Sequence, residues 1–269
     1  MVTGDSSHAT LTFEGTLEAA RGTDRLLTVC RQYELLRDVI STVYDTDVAT
    51  DLTLRVVAPK SVLRDLKRDF GIGWLAGELI AADRLSLHEA TADLPTSVFV
   101  TETRVDNPLP LDDRVASTVA EDEELASAVH TTYWEDLDTS AYVLPYPGRE
   151  RVLETLAAEC DDAAAEAFAA GIEANQEIGG PLTVAVVAIL AGARSEALHY
   201  DLGKWADYHQ IRSKASLTRA KQDLVEADLV RTTKVQIEVG RPRQRLHLDE
   251  SVTDADMEPL VEQAAAALD

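Results

Sequence analysis

The stretch from Leu202 to Leu248 admits few folds, because its apolar residues change period within it. From Ser213 onward, Leu217, Ala220, Leu224 and Val225 recur at helical spacing, and Ser213 stands where a hydroxyl caps a helix start. Polar and apolar residues then alternate from Arg231 to Val239 and again from Gln244 to Leu248, the period of a strand. Gly240-Arg241-Pro242-Arg243 between them has the composition of a tight turn. Upstream, Thr183 to Ala193 is uniformly apolar, as in a helix buried on most sides. Leu202 to Tyr208 forms a shorter helix that Asp201 can cap, followed by a turn at His209-Gln210-Ile211. Helix, helix, turn, helix, hairpin is the order of a winged helix-turn-helix.

Charge says what such a unit could touch. The 269-residue chain carries a formal net charge of −23, which by itself argues against nucleic acid. Its distribution points the other way. Gly203 to His247 holds ten basic residues and five acids, a local +5, so the other 224 residues carry −28. A basic segment on an acidic chain is the asymmetry of a nucleic-acid contact surface. Lys214, Ser216, Arg219 and Gln222 are the third helix's polar face, suited to base edges in a major groove, and Arg212 precedes it. Arg241, Arg243 and Arg245 sit at the hairpin tip, where a wing meets phosphates or the minor groove. Burial of Lys214 and Arg219, or carboxylates beside Arg243, would erase this patch. The alternative is a winged-helix interaction or scaffold module that binds protein without touching DNA.

The first half alternates strand and helix patterns. Leu26 to Cys30, Leu52 to Val57, Leu85 to His88 and Ser97 to Thr101 read as strands. Tyr33 to Tyr44 reads as a helix, and so does Ser61 to Ala82, capped by Ser61 and interrupted near Gly71-Ile72-Gly73. This implies an α/β domain with a mainly parallel sheet. Glu121 to Leu137 is a further helix with acids in its first turn. Gly148 to Asn175 reads as one long helix whose stripe (Leu153, Leu156, Cys160, Ala164, Phe168, Ile172) faces either a dimer partner or its own α/β domain. Gly179-Gly180-Pro181 breaks the chain after it. The expected organisation is an α/β sensor or assembly domain over 1–147, a linker helix over 148–178, and the winged helix-turn-helix over 179–269, including a C-terminal helix from Asp254 to Leu268.

Other signals exclude more than they assign. Cys30 and Cys160 are far apart and in no metal-like spacing, as for thiols buried in a reducing cytoplasm. The first ten residues lack a secretory pattern, and the longest apolar stretch, Leu182 to Ala193, has 12 residues, too few for a bilayer. A soluble, cytoplasmic protein without membrane contact is expected. Gly71-Ile-Gly73-Trp-Leu-Ala76 imitates a dinucleotide fingerprint but does not directly follow a strand. His88-Glu89 opens an apparent zinc motif whose fifth position is Ala92. No nucleophile elbow or phosphate loop appears, so neither an enzyme nor a cofactor nor a metal site is expected.

Gly240-Arg-Pro-Arg-Gln-Arg-Leu-His-Leu248, Ser61-Val-Leu-Arg-Asp65 and Leu111-Asp-Asp-Arg-Val115, with an α/β domain preceding a winged helix, resemble the TbsP family. These haloarchaeal regulators are named for suppressing loss of the sugar-sensing regulator TrmB. The resemblance implies a homodimeric regulator of central carbon metabolism genes that binds promoter DNA and responds to a sugar metabolite. Six lysines against nineteen arginines, with 48 acids, also fit a salt-loving source, although an ordinary acidic cytosolic protein fits too. Asp228 departs from the glycine usual after a recognition helix, but Asp tolerates the left-handed conformation. A sugar-phosphate effector would sit beyond strand ends, where Arg31, Lys60, Ser61 and Arg104 follow expected strands and a helix start at Pro59 could offer amides. Ordinary surface roles for these four residues are the competing reading.

Overall fold

Alternation along Arg25–Val29 sends Leu26 to one face of a sheet and Leu27 and Val29 to the other, and all three are buried. This is β1 of a computed structural model that describes residues 16–17, 20, 25–46, 52–110, 115–236, 242–253 and 255–268. The chain divides into two units, Met1–Leu144 and Pro145–Asp269. No helix among the described residues is long and apolar enough to cross a membrane.

In the first unit, α1 (Tyr33–Asp45) returns the chain to β2 (Thr53–Pro59), which runs straight into α2 (Lys60–Arg68). After α3 (Phe70–Ala81) comes β3 (Leu85–Ala90), and β1, β2 and β3 pair in parallel. This is the crossover architecture implied by alternating elements. Antiparallel strands extend it on both flanks: β4 (Val98–Val100), β5 (Arg104–Pro110) and β6 (Val115–Glu121) beyond β1, and β7 (Thr139–Ala141) beyond β3. The strand order is β6-β5-β4-β1-β2-β3-β7. Leu36, Ile40, Leu63, Leu66 and Leu79 of α1–α3 cover one face, against Leu26, Leu54, Val56 and Leu87. The other face is covered by α4 (Glu123–His130) and a π-helical turn over Thr131–Asp136, where the Trp134 ring lies 4.3 Å from Arg55 and 4.7 Å from His88.

Several local expectations move. The 61–82 pattern breaks at Asp69, not near Gly71, because the Asp69 carboxylate accepts from the Ile72 amide at 3.2 Å and starts α3. Gly71 and Gly73 are buried within that helix. Ser61 does not cap α2, since the helix begins one residue earlier and Pro59 stands at its cap. Glu121 ends β6, and Asp122 caps α4 through the Leu125 amide at 3.0 Å.

In the second unit, the expected linker helix is two helices, α5 (Arg149–Glu159) and α6 (Asp162–Glu177). Asp161 breaks them by capping α6 through the Ala164 amide at 2.7 Å. Their buried residues (Val152, Leu156, Phe168, Ile172) pack against helices of this same unit. The division between units therefore lies at Leu144/Pro145, ahead of these helices, rather than at Gly179-Gly180-Pro181. Both those glycines have positive φ, 89° and 71°, and turn α6 into α7 (Val184–Arg194). α7 has ten consecutive buried residues, from Val184 to Ala193. The C-terminal helix spans Met257–Leu268 and packs on α6 and α7 through Met257, Leu260, Val261 and Ala264. Burial and neighbouring carboxylates raise the Cys160 thiol to about 12, and burial raises Cys30 further, so both are protonated thiols.

Candidate nucleic-acid interface

The interface begins with a cap. Ser213 Oγ accepts from the Ser216 amide at 3.2 Å and starts α9 (Lys214–Glu226), after α8 (His199–Tyr208) and a turn through Gln210, at φ 59°. Leu217, Ala220 and Leu224 are buried, against α7 and α8. At 100° per residue the helix therefore turns Ala215, Thr218, Arg219 and Gln222 outward. Lys214 and Ser216 flank that line on opposite sides. Ala215, Arg219 and Gln222 are exposed, and no acid interrupts them until Asp223 and Glu226 in the last turn.

The wing follows through Asp228, whose φ is 54°, the left-handed conformation expected of it. Leu229 then donates to the Leu224 carbonyl at 3.0 Å, closing the helix end. Val at position 228 would place a branched Cβ at positive φ, and Asp228→Val should lower stability by about 1–2 kcal/mol. Asp228→Gly should be near neutral, both read as urea midpoints. β8 (Val230–Val235) and β9 (Arg243–Leu248) pair antiparallel, from Val230 opposite Leu248 to Val235 opposite Arg243. A bridge between Leu198 and Arg245 ties the link before α8 to the same hairpin. Helices α7, α8 and α9 with this small sheet form a winged helix-turn-helix.

Electrostatics alter the expected patch. Arg219 is exposed, and Lys214, also exposed, lies 3.6 Å from Asp207. Asp201 does not cap α8. It lies inside the first turn and pairs with Arg243 Nη1 at 2.9 Å, while that guanidinium stacks 4.0 Å from the Tyr200 ring. Arg245 donates to the Glu196 carbonyl at 2.9 Å. Two of the three expected wing-tip arginines thus turn back onto the helical body, and Asp201 is a carboxylate beside Arg243 that takes this part of the wing out of the expected patch, whereas Lys214 and Arg219 remain exposed. Arg241 lies outside the described residues, and Arg212 is half-buried in the turn before α9. The Ser216 hydroxyl is 3.0 Å from Ser213 Oγ and is occupied with the cap.

Sequence reasoning missed Lys221 and Lys234. Lys221 donates to Gln244 Oε1 at 2.6 Å, and Lys234, exposed, sits directly across the hairpin from Gln244. Burial lowers the Lys221 pKa. Burial and then Lys221 also lower that of His199, so this ring behind α9 is held toward its neutral form. Alternation in β8 places Lys234 on the α9 side of the hairpin, and that was the available signal.

The four residues expected around an effector do not converge. Arg31 follows β1, with its amide on Ser97 Oγ at 3.0 Å and its guanidinium on the Pro95 carbonyl at 2.9 Å, and Lys60 and Ser61 are exposed after the parallel β2. Arg104 follows β4, which runs antiparallel to β1, so it lies at the opposite end of the sheet. There it pairs at 2.8 Å with the buried Asp106.

Two family descriptions match the chain in tandem: "Transcriptional regulator TbsP-like, N-terminal" over residues 7–143, and "Transcriptional regulator TbsP-like, C-terminal HTH domain" over residues 148–265. The chain belongs to the TbsP-like transcriptional regulators. The TbsP-like helix-turn-helix domain includes α5 and α6, as the division of the structure does. TbsP-like proteins are regulators with a DNA-binding domain, not enzymes. The chain is similar to a solved structure of TrmBL2, an archaeal chromatin protein described with a novel mode of DNA binding, at 14% identity and a TM-score of 0.33. That match covers 49% of this chain and spans about half, 51%, of the other. No curated protein matches.

Proposed function

We propose that this TbsP-like regulator reads promoter DNA by laying α9 in the major groove, with Arg219 and Gln222 toward base edges. Lys214 and Lys234 would hold flanking phosphates. The observation that carries the reading is the outward line of α9, where Ala215, Arg219 and Gln222 are exposed and the first nine residues of the helix hold no acid. Arginine is suited to guanine and glutamine to adenine, and Ala215 and the Thr218 methyl can meet a thymine methyl. Arg212, Arg241 and Arg243 are proposed as further phosphate contacts, while Ser216 and Arg245 keep their contacts within the fold.

The family resemblance supports the finer terms: a homodimer acting on central carbon metabolism genes in a salt-loving archaeon. The −23 net charge suits such a solvent. A sugar-phosphate effector is proposed at the strand-end edge bearing Arg31, Lys60 and Ser61, supported by the first turn of α2, which holds no acid. Arg104 has no part in it.

Mobility shifts with matched and scrambled promoter duplexes test the reading. Arg219→Ala should shrink the preference for the matched duplex by about 1–3 kcal/mol, roughly five- to 150-fold, while leaving most binding to the scrambled one. An unchanged preference would remove α9 from the groove.

A further inference from the structure

Arg243 and Asp201 form an ion pair that neither packing nor helix capping explains. The two side chains are 32% and 24% exposed, so the pair lies at the surface rather than in the core. Asp201 stands in the first turn of α8, where backbone amides and the helix dipole favour an anion. Its carboxylate is 2.9 Å from the Arg243 guanidinium, whose Cζ lies over the half-exposed Tyr200 ring, 4.0 Å from the centroid. A guanidinium held over an aromatic ring, beside a helix amino end, presents the same fork to a carboxylate or to a phosphate.

We infer that Asp201 stands in for a DNA phosphate, occupying Arg243 in the free protein and yielding it to the DNA backbone on binding. This rests on the DNA reading above and adds a residue that sets affinity and salt response without touching a base. The exchange conserves charge when the freed Asp201 carboxylate takes up a cation from solution as the phosphate gives one up. Tyr200 keeps the guanidinium in place whichever anion holds it, so little side-chain ordering is left for the bound state. Lys214 and Asp207, 3.6 Å apart, repeat the arrangement more loosely at the start of α9.

The consequence is a shallow salt dependence. An arginine that neutralises a phosphate steepens the slope of log K against log salt by about 0.9, but here the cation released from the phosphate is offset by one taken up at the freed Asp201 carboxylate, so the exchange adds almost nothing. Cations that act with their own carboxylates thus suit a binding surface that must work where counterion release has lost its force.

The test uses the whole chain, a short duplex of random sequence, and anisotropy titrations from about 50 mM to 1 M salt. Asp201→Asn keeps the side chain's shape and removes its charge. The slope should steepen by about 0.9, which makes binding about tenfold tighter at 50 mM and brings the two curves together near 1 M. Arg243→Gln should shift the slope the other way, and Asp201→Asn with Arg243→Gln should restore the wild-type slope. A merely structural role for the pair would weaken binding without moving the slope. An Asp201→Asn slope equal to that of the wild type overturns the inference and leaves the α9 reading standing. Absence of binding by the wild type overturns both.

Discussion

Trp205→Ala should lower the stability of the Pro145–Asp269 unit by about 3–5 kcal/mol, the largest loss expected from any single side chain there. The indole is 1% exposed and meets Phe168 edge to face, with centroids 5.5 Å apart. Its Nε1 donates to Thr155 Oγ1 at 3.1 Å. One ring thus joins α8 to both α5 and α6, the helices that brace the helix-turn-helix. Truncation removes the buried area, leaves a cavity and removes the bond that Thr155 Oγ1 accepts, although that hydroxyl keeps its own donation to the Arg151 and Val152 carbonyls. Trp205→Phe keeps most of the apolar contact and should cost only about 1–2 kcal/mol. Urea melts followed by far-ultraviolet circular dichroism read both. A loss below about 1 kcal/mol for the alanine variant would mean that α5 and α6 do not brace the DNA-binding fold.

Arg219→Glu should be the most damaging surface change for DNA binding. The side chain is exposed on a helix in which Glu is nearly as good a former as Arg, so folding should be unaffected. The substitution removes one positive charge and adds one negative charge facing the duplex. The slope of log K against log salt should become shallower by about 1.8, which corresponds to a loss on the order of 100-fold at 50 mM salt. Melting curves that match the wild type, alongside that loss, would place the effect in the interface. Binding that stays within about twofold would mean that Arg219 points away from DNA.

Much of the helix-turn-helix was legible because its signals are local. Ser213 caps α9, Asp228 takes the left-handed turn, and the Leu217, Ala220 and Leu224 spacing fixes which face is buried. The α/β character of the first unit was legible for the same reason, since β1, α1, β2 and β3 each carry their own period. The antiparallel flanks were not, because partner and direction are properties of the sheet. That hidden direction put Arg104 at the opposite end from Arg31. Asp161 shows a second limit. Within an alanine-rich run, one aspartate can either sit in a helix or cap a new one, and periodicity does not distinguish the two. Asp201 shows a third: its position before Leu202 suits a cap, yet its partner, Arg243, is 42 residues away. Charge counts along the chain gave the wing three free arginines, and only tertiary structure reveals that Arg243 and Arg245 are already engaged.

Selection from a pool of random duplexes by the intact chain, followed by methylation protection on the recovered site, tests most directly whether α9 reads bases. One enriched motif is expected, with guanine N7 protected in the major groove, and Arg219→Ala should abolish protection at one guanine while the rest persist. Recovery of no motif, or a protection pattern indifferent to Arg219, would contradict it.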